Sequence, residues 1–510
     1  MANSRTKNTI LNAIGGVAVR IVTLLTMFIT RTVFIKVLGM QYAGVSGVFT
    51  DVLTMLSFAE LGIGQAITYA LYKPIATGDE RQIAKLMNVY KRIYTVIAII
   101  VLSIGTALIP FLRYIIKEVP DVVEDIRLIY VFYLLSTASS YLLIYKSTFL
   151  TAAQKDYIVS RVKVLFTVIK AAVECVLLIV FRNFLIYLGF SVVANLLQNY
   201  ILAKITEKHY PVIKEKNAEK LEPSERKKLI NDVRALALYK VSGTVLNGTD
   251  SVITSSILGT VYVGILGNYN LISNNVYLFV MQIFNATSAS IGNLAVKSTS
   301  EHQHRVFREM LFLCFWIYCF CSTALWTLFN PFMYIWQGQE NSFTLFVVAL
   351  LVADFYVKGV LSPVTQFRTS NGLFVQGKYR PVIMAVLNVG ISIWLVNYIG
   401  IAGIILGTLI SRALTQLWYD PWLIYRRVFK KNVAEYFAVY LLYIAVTVGC
   451  CALSQFLLQL IYPQNNILQI VIGLGISLIV PNAVVVLLFH RTANFKAIME
   501  IVKKTIKRKV

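Results

Sequence analysis

Charge is scarce in this 510-residue sequence, because only 14% of its residues are Asp, Glu, Lys or Arg, whereas 57% are hydrophobic. A soluble protein of this length could not bury so much apolar surface, but a lipid bilayer removes the need to bury it. Cysteine and histidine are also scarce, with six and four residues. The cysteines fall in apolar segments, which predicts buried thiols and no disulfides, and His302 with His304 is too small a set for a metal site. We therefore expect a membrane protein with neither metal nor cofactor.

Several motifs of enzymes are missing as well. No Gly-x-x-x-x-Gly-Lys-Ser/Thr sequence occurs, so we expect no nucleotide hydrolysis by this chain. The longest predicted outer loop, 113–125, is short, and we interpret its acids Asp121, Glu124 and Asp125 as a solvated helix start, not a catalytic pair. The first apolar run is too long for a cleavable signal peptide. These absences favour a protein that is not an enzyme.

Long apolar runs dominate what is present. A membrane-spanning helix needs about 20 apolar residues, and fourteen runs qualify. They lie near 9–36, 43–71, 90–112, 127–150, 157–181, 184–204, 234–258, 261–295, 307–336, 343–366, 379–398, 401–425, 434–460 and 466–489. The predicted fold class is an all-α polytopic membrane protein with about 14 transmembrane helices: two six-helix lobes in parallel pseudo-two-fold repeat, plus two C-terminal helices.

The net charge of +24 is distributed unevenly among the loops. With the N-terminus inside, the inner loops hold most of the Lys and Arg residues, and the outer loops hold only Lys36, Arg113, Lys117 and Arg182. This positive-inside pattern predicts a multi-pass protein of the cell membrane with both termini in the cytoplasm. The basic loops then contact anionic membrane lipids, and no nucleic-acid partner is expected.

A ten-residue pattern, Leu-Gly-x-x-Tyr-x-Gly-x-x-Gly, occurs twice, 220 residues apart. Its fixed positions are Leu38, Gly39, Tyr42, Gly44 and Gly47, and again Leu258, Gly259, Tyr262, Gly264 and Gly267. Such a repeat in an apolar chain is typical of a transporter built by duplication. We interpret the glycines as a structural turn that permits close helix packing, not as a substrate site.

One hydrophilic segment divides the two copies. The predicted domains are an N-lobe at 1–206, a charged cytoplasmic linker at 207–233, a C-lobe at 234–428, and a C-terminal part at 429–510 with two further spans and a basic tail. Each lobe has an even number of spans and starts inside, so both lobes have the same orientation.

Charges within the spans are the candidate site residues, since a mid-bilayer charge costs roughly 2.5–3.5 kcal/mol on insertion scales and needs a cavity or a partner. Two pairs, Lys170 with Glu174 and Asp354 with Lys358, are four residues apart and can neutralise themselves on one helix. Cations without an acid one turn away are Arg20, Arg31, Lys146, Lys240 and Arg412, and acids without such a cation are Glu60 and Asp250.

The spacing of the cations predicts an anionic substrate. Arg20 and Arg31 are separated by about three turns and lie within about 20° of one helix face, and Arg20 and Lys240 share the 220-residue offset of the glycine motif. We expect these residues, with Arg412 and Lys146, to line a basic cavity between the bundles. Snorkelling to the interface is an equal alternative for Lys146 and Lys240. Glu60 or Asp250 carries a coupling proton or sodium ion in this interpretation, and Glu60 is preferred to Asp51, which lies on the opposite helix face.

The N-terminal sequence resembles one known family. The segments RTVFIKVLGMQYAGVSGVF at 31–49 and LSFAELGIGQAI at 56–67, followed by LYKP at 71–74, DE at 79–80 and KLM at 85–87, resemble the start of bacterial polysaccharide transporters of the Wzx-type oligosaccharide flippase family. The resemblance implies the multidrug/oligosaccharidyl-lipid/polysaccharide flippase superfamily and a V of two lobes. It also implies an undecaprenyl-pyrophosphate-linked oligosaccharide as substrate, in a cavity lined by Arg20, Arg31 and Lys240.

The expected function is therefore a flippase that moves lipid-linked oligosaccharide pyrophosphate from the inner to the outer leaflet by alternating access. Partners would be membrane lipids and other polysaccharide-assembly proteins, and a monomer is favoured. Two alternatives remain: a cation-coupled multidrug exporter, which predicts an acidic cavity, and a membrane polymerase or glycosyltransferase, which the short outer loops oppose. The sugar leaves no linear motif.

Overall fold

The computed structural model describes residues 2–57, 63–116, 123–214, 221–223, 248–285, 287, 291–292, 294–295, 298–373, 376–377, 379–461 and 465–507. This part of the chain is helical throughout, with turns between helices and no β-strand. The chain divides into two compact units, which we call unit 1 (Met1–Gly264) and unit 2 (Ile265–Val510).

Unit 1 begins with a bundle of long helices. They are α1 (Ala2–Leu38), α2 (Met40–Leu56), α3 (Ile63–Thr77), α4 (Glu80–Leu108), α5 (Ile126–Ala152), α6 (Asp156–Phe181) and α7 (Phe184–His209). Helix α1 packs along α6, and α5 packs against α4 and α7. A further helix, α8 at 248–258, is followed by α9 (Thr260–Asn285), and the boundary between the units falls within α9.

Unit 2 is organised around its longest helix. Its helices are α10 (Ser300–Gln337), α11 (Leu345–Val360), α12 (Ser362–Ser370), α13 (Arg380–Ile399), α14 (Ile401–Arg412), α15 (Trp418–Ile424), α16 (Ala434–Ile461), α17 (Asn466–Phe489) and α18 (Ala493–Lys507). Helix α10 packs against α17, α11 and α16, while α13 packs against α14. A wide turn at Ala413–Leu417 joins α14 to α15, and a second one at Tyr425–Phe429 continues α15, so that Ile401–Phe429 is one continuous helical span.

Eleven helical segments of the described part are long and apolar enough to cross a membrane. They coincide with eleven of the fourteen predicted runs, and the all-α polytopic fold class is confirmed. Of the other three, run 234–258 lies largely outside the described residues, and run 43–71 is divided between α2 and α3. Run 261–295 contains α9, whose Asn and Ser residues lower its hydropathy.

Apolar side chains lie on the exposed faces of the helices as well as on the faces that pack against other helices. In α17, Leu487 is 71% exposed, whereas its neighbour Val485 is completely buried. In α13, Trp394 is 63% exposed. Contiguous exposed apolar surface of this extent marks contact with lipid, so the chain is a multi-pass membrane protein.

Side-chain caps define several helix starts. The Asp79 carboxylate accepts a hydrogen bond from the Gln82 backbone N–H at the start of α4, at 3.0 Å. At the start of α10, 220 residues later, the Thr299 hydroxyl accepts one from the His302 backbone N–H. Thr344, before α11, makes no such bond. Because a capping side chain satisfies a backbone donor that has no partner within the helix, these bonds fix where the helices begin.

We predict that Asp79→Ala destabilises the protein by about 1 kcal/mol, the usual contribution of an N-cap. Thr344→Ala is the matched control, because it removes an N-cap side chain that bonds nothing. Thermal unfolding of the detergent-purified variants measures both. Equal unfolding temperatures for the two variants would contradict the prediction.

Candidate functional site

The first glycine of each repeated motif forms the break between two helices. Gly39 separates α1 from α2 with φ of +96°, and Gly259 separates α8 from α9 with φ of +100°. Only glycine adopts this region without strain. The two copies of the motif therefore make the same turn.

The second glycine of each copy packs against the other copy, within unit 1. A Cβ atom on Gly44 would overlap the backbone carbonyl of Thr260, and one on Gly264 would lie 2.8 Å from the carbonyl oxygen of Met40. Met40 and Thr260 hold the same position in their copies, so the contact is reciprocal. The glycines let the start of α2 and the start of α9 cross with their backbones touching.

The tyrosine of the first motif copy holds one end of unit 1 together. The Tyr42 hydroxyl donates to Glu124 Oε2 at 2.5 Å and accepts a hydrogen bond from the Val123 backbone N–H at 3.1 Å. The other Glu124 oxygen accepts from the Phe184 backbone N–H at the start of α7, at 3.0 Å. Both carboxylate oxygens of Glu124 are thus used in structural bonds. Tyr262, in the second copy, is 40% exposed.

The two arginines of α1 have different surroundings. Arg20 is exposed, and no hydrogen bond or ion pair of its side chain is found among the described residues. Arg31 is partly buried, and its guanidinium is within electrostatic range of the hydroxyl groups of Tyr133 on α5 and Tyr187 on α7. The Tyr133 and Ser46 hydroxyl groups are hydrogen bonded at 2.5 Å.

A second polar group in unit 1 joins α5, α6 and α7. Lys170 Nζ donates to Asn195 Oδ1 at 3.0 Å and lies 3.6 Å from the Glu174 carboxylate, and Asn195 Nδ2 donates to Ser136 Oγ at 3.5 Å. Glu174 is only 5% exposed and acts electrostatically on Tyr187, as Arg31 does. Sequence analysis missed the asparagine and the tyrosines, because only the fold brings these helices together.

Each unit contains a buried carboxylate held between two cations. In unit 1, Glu207 pairs with Lys146 and, at 3.4 Å, with Lys204. In unit 2, the fully buried Asp420 pairs with Arg368 at 3.0 Å and with Arg380. Lys146 and Arg368, which are 222 residues apart in the sequence, thus have equivalent partners. The partner of Lys146 lies on another helix, where sequence spacing does not reveal it.

A third ion-paired acid, the partly buried Asp354 of α11, lies in unit 2. Arg412 is 9% exposed, and its guanidinium pairs with the Asp354 carboxylate and also bonds the Asp354 carbonyl at 3.4 Å. The expected partner of Asp354, Lys358, instead donates to Asn274 Oδ1 at 3.3 Å and lies 4.3 Å from the centre of the Tyr277 ring. The bond across helices has replaced the pairing along α11.

The remaining predicted residues are placed only in part. Lys240 and Glu60 lie outside the described residues. Asp250 lies on α8, partly buried, and the next residue, Ser251, donates to Asp51 Oδ2 at 2.5 Å. Among the described side chains, no group of three or more His, Cys, Asp or Glu residues could hold a metal ion.

Solved structures with this arrangement of helices are transporters. The lipid II flippase MurJ, in an inward closed conformation, aligns with a TM-score of 0.63 at 13% identity over 93% of this chain and 99% of that chain. An inward-facing multidrug resistance transporter of the MATE family in the MOP superfamily aligns with a TM-score of 0.57 at 14% identity, over 78% of this chain and 93% of that one. The fold of this chain is therefore similar to that of these two solved transporters.

Another MATE transporter, VcmN of Vibrio cholerae, aligns with a TM-score of 0.55 at 13% identity, over 84% of this chain and 99% of that chain. No protein-family profile and no curated protein matches the sequence. At such low identity, the MOP similarity establishes the fold and leaves the substrate to be inferred from this chain's own residues.

We predict that Gly44→Ala and Gly264→Ala each destabilise this MOP fold by about 1–3 kcal/mol, because the added methyl group forces two touching backbones apart. Gly449→Ala is the control, since no atom lies within 4 Å of its added methyl group and alanine favours a helix over glycine. Thermal unfolding in detergent compares the three. Unchanged stability of the first two variants would disprove close packing of the motif copies.

We also predict that Asp420→Asn destabilises unit 2 by about 3–5 kcal/mol, because it removes the charged carboxylate that pairs with the buried Arg368 and the partly buried Arg380. Glu435→Gln is the matched control: its partner Arg308 is 41% exposed and 2.7 Å away, and exposed pairs contribute about 1 kcal/mol or less. Urea or thermal unfolding of both variants tests this. If the two losses are similar, burial does not determine the strength of the Asp420 network.

Proposed function

We propose that the chain is a flippase of the Wzx type, which moves polyprenyl-pyrophosphate-linked oligosaccharide repeat units from the inner to the outer leaflet by alternating access. The units would serve synthesis of a cell-surface polysaccharide such as a capsule, an O-antigen or an exopolysaccharide. The observation that carries this proposal is the excess of cations over acids among the charged groups of the apolar helices.

That excess is found in both units. In unit 1, Lys146 and Lys204 share the carboxylate of Glu207, and in unit 2, Arg412 and Lys358 lie near the carboxylate of Asp354. Among the described residues, each of these two groups therefore holds two cations and one acid. A cation kept in an apolar span at such cost is explained when the transported molecule brings an anion.

A pyrophosphate-linked lipid fits this charge pattern. Guanidinium groups hold phosphate oxygens through paired N–H donors, and the polyprenyl tail can stay in the bilayer while the headgroup crosses. The MurJ structure, which has the better TM-score of those described, is named as a lipid II flippase. This name supports a lipid-linked substrate for the present chain.

The predicted residues have distinct roles in this proposal. Arg20, Arg31, Lys240 and Arg412 contact or attract the pyrophosphate, and Lys146 contributes to the same positive field near the inner surface. Glu60 or Asp250 carries the coupling ion. Both termini lie in the cytoplasm, and other polysaccharide-assembly proteins supply the substrate and use the product.

A multidrug exporter is the second candidate, because the MATE transporters share the fold at TM-scores of 0.57 and 0.55. Such an exporter of cationic drugs needs acids without cation partners in its spans. Here the buried acids Glu174, Glu207 and Asp420 are all within ion-pair distance of at least one cation. The pairing of these three acids favours the flippase, whereas Asp51 of α2, which accepts a hydrogen bond from Ser251, is an acid of the kind that the exporter needs.

We predict that deletion of the gene causes complete lipid-linked repeat units to accumulate on the cytoplasmic leaflet, as measured by mass spectrometry and by protection from an added sugar-modifying reagent. The combined Arg20→Ala and Arg31→Ala variant should fail to restore export, because it removes both guanidinium groups of α1. Arg81→Ala, at an exposed position of α4, is the control and should restore it.

Two results would contradict the proposal. Incomplete units, or no accumulation, after deletion would place the protein outside the flipping step. Undiminished export by the double arginine variant would show that the α1 cations do not hold the substrate.

A further inference from the structure

Lys358 is a membrane-embedded cation whose nearest acid in the sequence is already occupied. Asp354, one turn earlier on α11, bonds Arg412 of α14 through both its carboxylate and its backbone carbonyl. None of the ion pairs found among the described residues includes Lys358. The ammonium group is therefore left with neutral neighbours.

The two groups that contact the ammonium group belong to α9. The Lys358 ammonium donates to the Asn274 amide oxygen at 3.3 Å, in a bond that is exposed to the surroundings, and it lies 4.3 Å from the Tyr277 ring centre. Asn274 and Tyr277 are three residues apart on α9, on the same helix face. An amide and an aromatic ring stabilise an ammonium group, but neither neutralises it.

The contacts of Lys358 argue against simple snorkelling. Lys358 lies in the last turn of α11 and near the middle of the 26-residue helical segment Leu345–Ser370, because α12 follows directly. Escape to the interface is easiest for lysines near helix ends, but this ammonium group instead contacts Asn274 and Tyr277 of α9. The nearest charges, Arg412 and Asp354, cancel each other, so the local net charge is that of Lys358.

We propose that Lys358, with Asn274 and Tyr277, is a binding subsite for the diphosphate group of a lipid-linked substrate. Lys358 donates to a phosphate oxygen in place of the Asn274 carbonyl oxygen, and the Asn274 amide nitrogen supplies a second donor. Besides attracting the diphosphate, Arg412 has a positioning role: by pairing with Asp354, it keeps that carboxylate away from Lys358. This subsite rests on the proposed function and adds residues that the sequence pattern assigned to a self-paired charge.

The test measures binding of farnesyl diphosphate, a short polyprenyl diphosphate, to the full-length protein in nanodiscs of neutral lipid. We expect Lys358→Met to weaken binding at least about tenfold, the effect of losing one charge-assisted hydrogen bond, and Lys358→Arg to retain most of the affinity. Asn274→Ala should weaken binding by a smaller factor. Lys91→Met, at an exposed position of α4, is the control and should bind like the wild type.

The shift in unfolding temperature on adding ligand separates a loss of binding from poor folding of a variant. Farnesyl diphosphate should raise the unfolding temperature of the wild type and of Lys358→Arg, but not of Lys358→Met. Inorganic pyrophosphate should compete weakly; competition as strong as that of farnesyl diphosphate would show that the site takes a free anion and not a lipid headgroup.

The two proposals fail in different ways. If the wild type binds farnesyl diphosphate and Lys358→Met binds it equally well, the subsite is wrong while the flippase remains. If the wild type binds no polyprenyl diphosphate at all, the proposed function fails, and the subsite fails with it.

Discussion

The cost of an ionised side chain in hydrocarbon governs the interior of this protein. Three buried or partly buried carboxylates of the described residues are paired with cations of a neighbouring helix: Glu207 with Lys146, Asp420 with Arg368 and Arg380, and Asp354 with Arg412. Glu207 also pairs with Lys204 of its own helix. These ion pairs tie the helices of each unit together.

The glycine motif satisfies a different constraint: the backbones of α2 and α9 touch. Gly39 and Gly259 make the same left-handed break, while Gly44 and Gly264 permit two helix starts to touch where any side chain would separate them. The duplicated motif therefore acts by permitting a positive φ angle and a close contact between two backbones. The cations of the proposed site lie in the spans, outside this motif.

Sequence patterns predicted the fold class and eleven spans well, since a bilayer imposes the same demand on every crossing helix: about 20 apolar residues with internal hydrogen bonds. They predicted the charges less well. The spacing of Asp354 and Lys358 favours a pair along one helix, but Arg412 from α14 takes the carboxylate. Lys146 has no acid nearby in the sequence and finds Glu207 on α7. Asn195, Asn274 and Tyr277 gave no signal at all.

The sequence by itself determined that this is a membrane protein, which segments form its helices, and that the same turn occurs twice. It could do so because hydropathy, loop charge and glycine position are local properties. Only the tertiary structure decided that Lys146 pairs with Glu207 and Arg412 with Asp354, because these partners lie on different helices and meet only through helix packing. The same packing leaves Lys358 beside an amide and an aromatic ring instead of a carboxylate. That arrangement is invisible in the order of the residues.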